Sequence, residues 1–377
     1  MNYQNVERFN AHLQSLGIGA ALLSSPFTLT WLTGYAPPIQ TGPSPFEGGP
    51  AIGWWRGGEL TVVLSDEEAE AAQDLGVDVR DYVGFSVEEP LDTTERQASV
   101  LRELLEQRGK PRGRIGAELN FLSAALARVF YDSFPAGSVQ PLDGRIEGLR
   151  AIKSAEEIDK IFAALGLCDL GQTYIRENCR AGVSELELWG EMKARLEVDA
   201  GTRLPMLADL VAGARTAEIG GDPGHYVLGD GDPVIVDLVP RLNGYWGDNA
   251  ATYFAGEPSS EMAKAYSVVH DALHTGVESV RPGVRACDLD EMLRDAVRGA
   301  GYEPYPHHSG HGIGTSYHEE PRIVPYNETV LEAGMIIALE PGVYVPDVGG
   351  VRLEHVVLVT SDGCRVLTEH LASNQVG

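Results

Sequence analysis

Two hydrophobic periods alternate across roughly the first 145 residues, the signature of an α/β domain. Val6, Phe9, Leu13 and Leu16 recur at three- and four-residue steps, which predicts an opening helix with Asn5 as its cap and Gly17 as its stop. Ala20–Leu23 then reads as a short buried strand, and Ala51–Trp55 and Leu60–Leu64 as two more, joined through Gly57-Gly58. Residues 94–108 place Val100, Leu101, Leu104 and Leu105 on one helical side. The segment contains neither a phosphate loop nor a dinucleotide fingerprint.

The texture changes around Arg145–Lys153. Ser154 and Glu157 form a capping box that leads into a helix with Ile158, Ile161, Phe162 and Leu165. The expected division is therefore an N-terminal domain over 1–148 and a second domain over 149–377. Within the second, the joint Arg180-Ala181-Gly182-Val183 recurs as Arg281-Pro282-Gly283-Val284. Leu188, Met192 and Leu196 after the first joint match Leu289, Leu293 and Val297 after the second. Two related halves facing each other across a cleft would produce that pattern, although R-x-G-V is also a common helix–turn–helix joint.

A pair of strands, Pro233–Val239 and Tyr245–Phe254, flanks Asn243-Gly244, the signal of a two-residue type I′ hairpin. That turn pairs Asp237 with position 250 and makes Asp248 its diagonal neighbour on the same face, with Cβ atoms roughly 7–8 Å apart. Two carboxylates at that spacing can converge on a pair of cations. Asp237 ends the apolar run Val234-Ile235-Val236, an unfavourable place for a mere turn-former. His307, His308, His311 and His318 crowd one stretch, with Gly310 and Gly312 flanking His311 so that other groups can approach its backbone. Glu340 ends the apolar strand Met335–Leu339 and is followed by Pro341-Gly342. Glu354 falls on the apolar face of a strand over Val351–Thr360; it must be paired, with Arg352 as one partner, or bind metal.

The 377 residues suit two domains. Acidic side chains number 55 against 29 basic ones, a net charge of −26, which disfavours nucleic acid and anionic membranes as partners. No run approaches the roughly 18 apolar residues of a membrane span, and the start has no basic-then-apolar secretion signal. Cys168, Cys179, Cys287 and Cys364 are far apart, as reduced cysteines of a cytoplasmic protein would be.

Five local sequences, in order, resemble the pita-bread metallopeptidases of the proline peptidase family, the Xaa-Pro dipeptidases (prolidases) and Xaa-Pro aminopeptidases. They are Asp237 with Asp248, Gly310-His311-Gly312-Ile313-Gly314, His318-Glu319-Glu320-Pro321, Glu340-Pro341-Gly342-Val343-Tyr344 and Gly350-Val351-Arg352-Leu353-Glu354. The opening helix, Leu32-Thr33-Gly34-Tyr35 and Leu149-Arg150-Ala151-Ile152-Lys153-Ser154 extend the resemblance over nearly the full length. It implies an N-terminal creatinase/prolidase-type α/β domain, which walls the substrate site and dimerises. A C-terminal pita-bread catalytic domain with pseudo-twofold duplicated halves would follow.

The resemblance also implies roles. Asp237 would hold one divalent metal, His311 with Glu340 the other, and Asp248 and Glu354 would bridge them, activating a bridging hydroxide. Glu340 would move the proton, His318 would stabilise the tetrahedral intermediate or hold substrate, His307 would line the substrate side, and Arg352 would orient Asp237. Carboxylate-rich ligation favours Mn2+ or Co2+, with Zn2+ possible. The implied activity is hydrolysis of the Xaa-Pro bond at the N-terminus of dipeptides or short peptides, by a homodimer. The alternatives are an exopeptidase of relaxed or carboxy-terminal specificity, a metal-free hydrolase of the same fold, and an inactive peptide-binding protein. Three departures bear on substrate preference. The family's proline-site histidine falls on Gly220; Asn249-Ala250-Ala251-Thr252 follows Asp248 where Thr, Arg and Thr are usual; and His355 follows Glu354 where an acid or amide is usual.

Overall fold

The computed structural model describes residues 2–39, 49–109, 111 and 113–371. Two compact units divide at Arg150/Ala151. The first contains helices α1 (Tyr3–Ser15), α2 (Pro26–Thr33), α3 (Asp66–Gln73), α4 (Thr93–Arg108) and α5 (Ala124–Ser133), with α6 (Arg145–Ala151) ending at its boundary. Its strands are β1 (Ile18–Leu23), β2 (Ile52–Arg56), β3 (Glu59–Ser65), β4 (Asp78–Tyr82), β5 (Arg114–Ala117) and β6 (Val139–Pro141), in one sheet of order β4-β3-β2-β1-β5-β6. Strand β2 runs antiparallel to both neighbours, and the outer pairs are parallel. Because successive strand residues face opposite ways, Trp55 joins the cluster of Phe9, Leu13 and Trp31, and Trp54 joins that of Leu101 and Phe130. Asn2 caps α1, not Asn5: its side chain accepts the Asn5 N–H, while Asn5 is itself buried and donates to the Trp31 carbonyl.

The second unit opens on α7 (Ala155–Asn178), with the Ser154/Glu157 capping box formed, and α8 (Glu185–Ala200). Strands β7 (Met206–Ala212), β8 (Pro233–Leu242), β9 (Tyr245–Trp246) and β10 (Asn249–Phe254) follow. Of the hydrophobic residues early in α7, Ile161 and Leu165 are buried and Phe162 is exposed. Next come α9 (Ser260–Ser279) and α10 (Ala286–Gly299), then β11 (Gly310–Gly312), β12 (Glu319–Ile323), β13 (Ile336–Leu339), β14 (Gly342–Val345), β15 (Gly349–Arg352), β16 (His355–Val359) and β17 (Cys364–Val366). One sheet has the order β10-β8-β7, another β12-β11-β13-β16-β17, and β14 pairs with β15.

The repeat seen in the sequence is a repeat of structure. Gly182 and Gly283 both adopt positive φ, +89° and +93°, where a Cβ is disfavoured. Gly182 N–H donates to the Leu228 carbonyl and Gly283 N–H to the Leu331 carbonyl, each at 2.9 Å. Leu228 and Leu331 return the bond to Val183 and Val284. Leu188, Met192 and Leu196 then pack with Val234, Val236 and Leu238, and Leu289, Leu293 and Val297 with Ile337, Leu339 and Val357. Each half is thus a helix pair covering one sheet. No helix among the described residues is long and apolar enough to cross a membrane, and the four cysteines are unbridged.

Candidate metal centre

Each candidate residue is delivered by a local feature of the second unit. Asn243 (φ +49°) and Gly244 (φ +85°) make the expected turn, and the register pairs Ala250 with Asp237. Asp237 lies mid-strand in β8, which runs on past the expected Val239 to Leu242. Asp248 sits in a break between β9 and β10, next to Gly247, which faces Pro240; Pro240 has no N–H for the ladder, and Gly247 N–H donates to its carbonyl. His311 is on β11, where a β-carbon on either flanking glycine would strike backbone. Ala338 O would be 2.0 Å from one on Gly310, and Glu320 O 2.3 Å from one on Gly312. That close approach brings His311 beside the end of β13, where Glu340 emerges.

The expected strand over Val351–Thr360 is two strands. Arg352 pairs into β14–β15 and His355 into β13–β16, and between them Glu354 N–H leaves both ladders to donate to the Ala250 carbonyl at 2.9 Å. Arg352 and Glu354 accordingly part company. One terminal nitrogen of Arg352 donates to Asp237 and to Asp209, both at 2.8 Å, and the Thr252 hydroxyl bridges the Arg352 N–H and carbonyl.

Asp237, Asp248, His311, His318, Glu340 and Glu354 line one cavity of about 610 Å3. His311 Nε2 lies 3.5 Å from Asp248 Oδ2 and 3.6 Å from Glu340 Oε1. Asp248, His311 and Glu354 offer ligand atoms within 4.8 Å of one another. Asp237 Oδ1 and Glu354 Oε1 are buried with no hydrogen-bond partner in the protein. Burial, then the neighbouring carboxylates Glu354 and Asp237, pushes Asp248 well above the usual carboxylate range; burial, with Asp237 and Glu340, does the same to Glu354. Asp237 is pushed up by burial to about 6, with Arg352 opposing. Glu340 is the exception. Burial would raise it, but His308, with Nδ1 at 3.0 Å from Oε1, and the other histidines hold it down at about 2. Burial keeps His311 below its ordinary value and His318 at about 4, so both are neutral at pH 7, as a nitrogen ligand or a single-proton donor must be. Four clustered carboxylates with orphaned oxygens and a neutral imidazole fit divalent cations; they do not make a satisfied protein-only network.

His318 lines the cavity, on a loop pinned by buried Glu319, which accepts from Thr315 and Ser316 and pairs with Lys153 at 3.1 Å. His307 is held to one side. Its Nδ1 meets the His308 carbonyl, an acceptor only, so Nε2 takes the proton of the Tyr344 hydroxyl at 2.9 Å. Gly220 is not among the lining residues, whereas Asp209 is, a residue no sequence motif singled out. Its one signal was an acidic residue interrupting the strand-like run Leu207–Val211.

Metallopeptidase family M24 matches residues 159–361, and the creatinase/prolidase N-terminal domain matches residues 5–152. The chain belongs to metallopeptidase family M24. An Xaa-Pro dipeptidase of Pyrococcus furiosus is 33% identical over 249 residues, 66% of this chain and 72% of that protein. Among solved structures, an Xaa-Pro dipeptidase from Bacillus anthracis has a TM-score of 0.82 at 26% identity over 97% of both chains. A prolidase from Pyrococcus furiosus has a TM-score of 0.78 at 27% identity, covering 95% of this chain and 98% of that one. The second unit is therefore an M24 pita-bread domain that follows a creatinase-type α/β domain in the chain, and the protein is a metallopeptidase.

Proposed function

We propose that this M24 enzyme is a dinuclear-metal exopeptidase hydrolysing the Xaa-Pro bond at the N-terminus of dipeptides or short peptides. The observation that carries the reading is the convergence of Asp237, Asp248, His311, Glu340 and Glu354 on one cavity with two carboxylate oxygens unpartnered. Asp237 would hold one ion, His311 and Glu340 the other, with Asp248 and Glu354 shared between them. The names of the Pyrococcus and Bacillus relatives support the Xaa-Pro preference. Oxygen-rich donors support Mn2+ or Co2+, and the family resemblance supports a homodimer, which sedimentation would test.

When bound, the two ions supply Lewis acidity, lowering the pKa of water and polarising the scissile carbonyl. The chain's own residues do the rest. Glu340, ionised at neutral pH, accepts the proton given up by the attacking water and returns it to the leaving nitrogen. Neutral His318 donates a hydrogen bond to the oxygen on which charge develops. Arg352 fixes the Asp237 carboxylate, and Tyr344 fixes His307.

Mass-spectrometric product analysis of the manganese-loaded protein tests this on Xaa-Pro dipeptides, Xaa-Pro-Xaa tripeptides and proline-free controls. Release of the first residue only from proline-containing members is the expected result. Cleavage of the controls, or from the carboxy end, would replace it with relaxed or carboxy-terminal specificity. The Asp209 carboxylate, standing where a side chain at 220 would lie, favours that second reading.

A further inference from the structure

We propose that His370, close to the end of the described chain, is a positioning residue for the metal centre. It would act through the carbonyl of Ala250. That carbonyl accepts the Glu354 N–H at 2.9 Å and His370 Nε2 at 3.1 Å. A carbonyl only accepts, so Nε2 carries the proton, and Nδ1 is left to accept from the Asn249 amide at 3.2 Å. Asp169 on α7 anchors the arrangement. Its carboxylate accepts the backbone N–H groups of Glu369 and His370 at 3.0 and 3.3 Å and the Asn249 amide at 2.9 Å. Gln172, one turn further along α7, donates to the Asn249 side chain, the Asn249 carbonyl and the Val236 carbonyl.

Through Gln172, Asn249 and His370 the cluster reaches the backbone beside three carboxylates of the site. Val236 precedes Asp237, Asn249 follows Asp248, and Ala250 holds Glu354. Asn249 and His370 are almost wholly buried, so these bonds are not exchanged for water. One of the sequence departures, the run after Asp248, contributes Ala250 to the network, and another, His355, places its ring 5.7 Å from that of His370. Asp248 and Glu354 repel each other before metal arrives, and the shared Ala250 carbonyl fixes the backbone of one against that of the other. The inference rests on the dinuclear reading.

The test is calorimetric Mn2+ titration of the metal-stripped full chain, wild type against His370→Ala and His370→Gln, with the Tm of the metal-free proteins alongside. H370A is expected to lose about 10–100-fold in Mn2+ affinity, with KM for an Xaa-Pro dipeptide within about twofold of wild type at saturating Mn2+. H370Q, whose amide can reach the Ala250 carbonyl, is expected to recover most of the affinity. Wild-type affinity in H370A, with only the metal-free Tm lowered, would overturn the proposal and leave His370 a structural residue. Should H370A not fold, Asp169→Asn, which loosens the same anchor, must show the same loss, and its absence would overturn the proposal equally. A wild type that takes up one ion would overturn the dinuclear reading in the control arm; the affinity of H370A for that one ion would still decide the role of His370.

Discussion

Asp209 and Gly220 compete for one space: a β-carbon built on Gly220 would lie 2.0 Å from Asp209 Oδ2. Asp209 is held there by Arg352 at 2.8 Å and by the Gly221 N–H at 2.9 Å. Any side chain at 220 must expel it. Gly220→Ala is expected to destabilise by about 1–3 kcal/mol, the usual cost of overfilling a packed site, and Asp209→Ala in the same chain to relieve most of that. Urea unfolding of the two singles and the double mutant measures the coupling. By the same geometry, Gly220→His alone should not sharpen proline preference, whereas Asp209→Ala with Gly220→His should; identical specificity profiles for the two would refute the idea.

Arg352 is the cation that Asp237 and Asp209 share, and its side chain is almost wholly buried. Arg352→Met leaves both acids without it, so a loss of about 3–5 kcal/mol is expected in the metal-free protein at pH 8. At pH 5 the loss should be smaller, because Asp237, already near 6 with Arg352 present, is then protonated. Equal losses at the two pH values would show that the ion pair does not matter to folding.

Glu340→Ala removes the proton carrier. Turnover of any cleaved peptide should fall by at least about 100-fold with the circular dichroism spectrum and Tm close to those of wild type. Activity surviving both this substitution and chelation would refute the metal mechanism.

In the N-terminal unit, buried Glu118 accepts from the Ser24 and Ser25 N–H groups and the Thr28 hydroxyl, yet burial outweighs these bonds and raises it to about 7. A raised folded-state value means the folded chain binds the proton more tightly than the unfolded one. The stabilisation is complete below about 4.5 and fades as pH rises through 7. Glu118→Gln keeps an acceptor for the two N–H groups and a donor for Thr28. Calorimetry between pH 5 and 8 should therefore show a flatter Tm profile in the variant; an unchanged slope would sink the assignment.

What the sequence made legible was whatever is written in short-range order. Asn243-Gly244 dictated the hairpin register down to Asp237 opposite Ala250, and glycines beside His311 announced a close backbone approach. Local ambiguity produced the errors. Asn2 and Asn5 are equally good caps by type, and only the distant Trp31 carbonyl claims Asn5. The run from Val351 onward is continuously strand-like, and its break at Glu354 comes from the Ala250 carbonyl, which only the folded chain brings near. The partners of Asp209 and His370 were hidden for the same reason. Each acts on residues more than a hundred positions away, and no periodicity or motif marks such a pairing.

The twin joints at Gly182 and Gly283 have a consequence in time. Asp237 and Asp248 belong to the earlier half and His311, Glu340 and Glu354 to the later one, with His370 following them in the chain. A chain still leaving the ribosome, or one truncated within its second half, holds an incomplete set. A cavity assembled in this order cannot gather all of these side chains until both halves have been made.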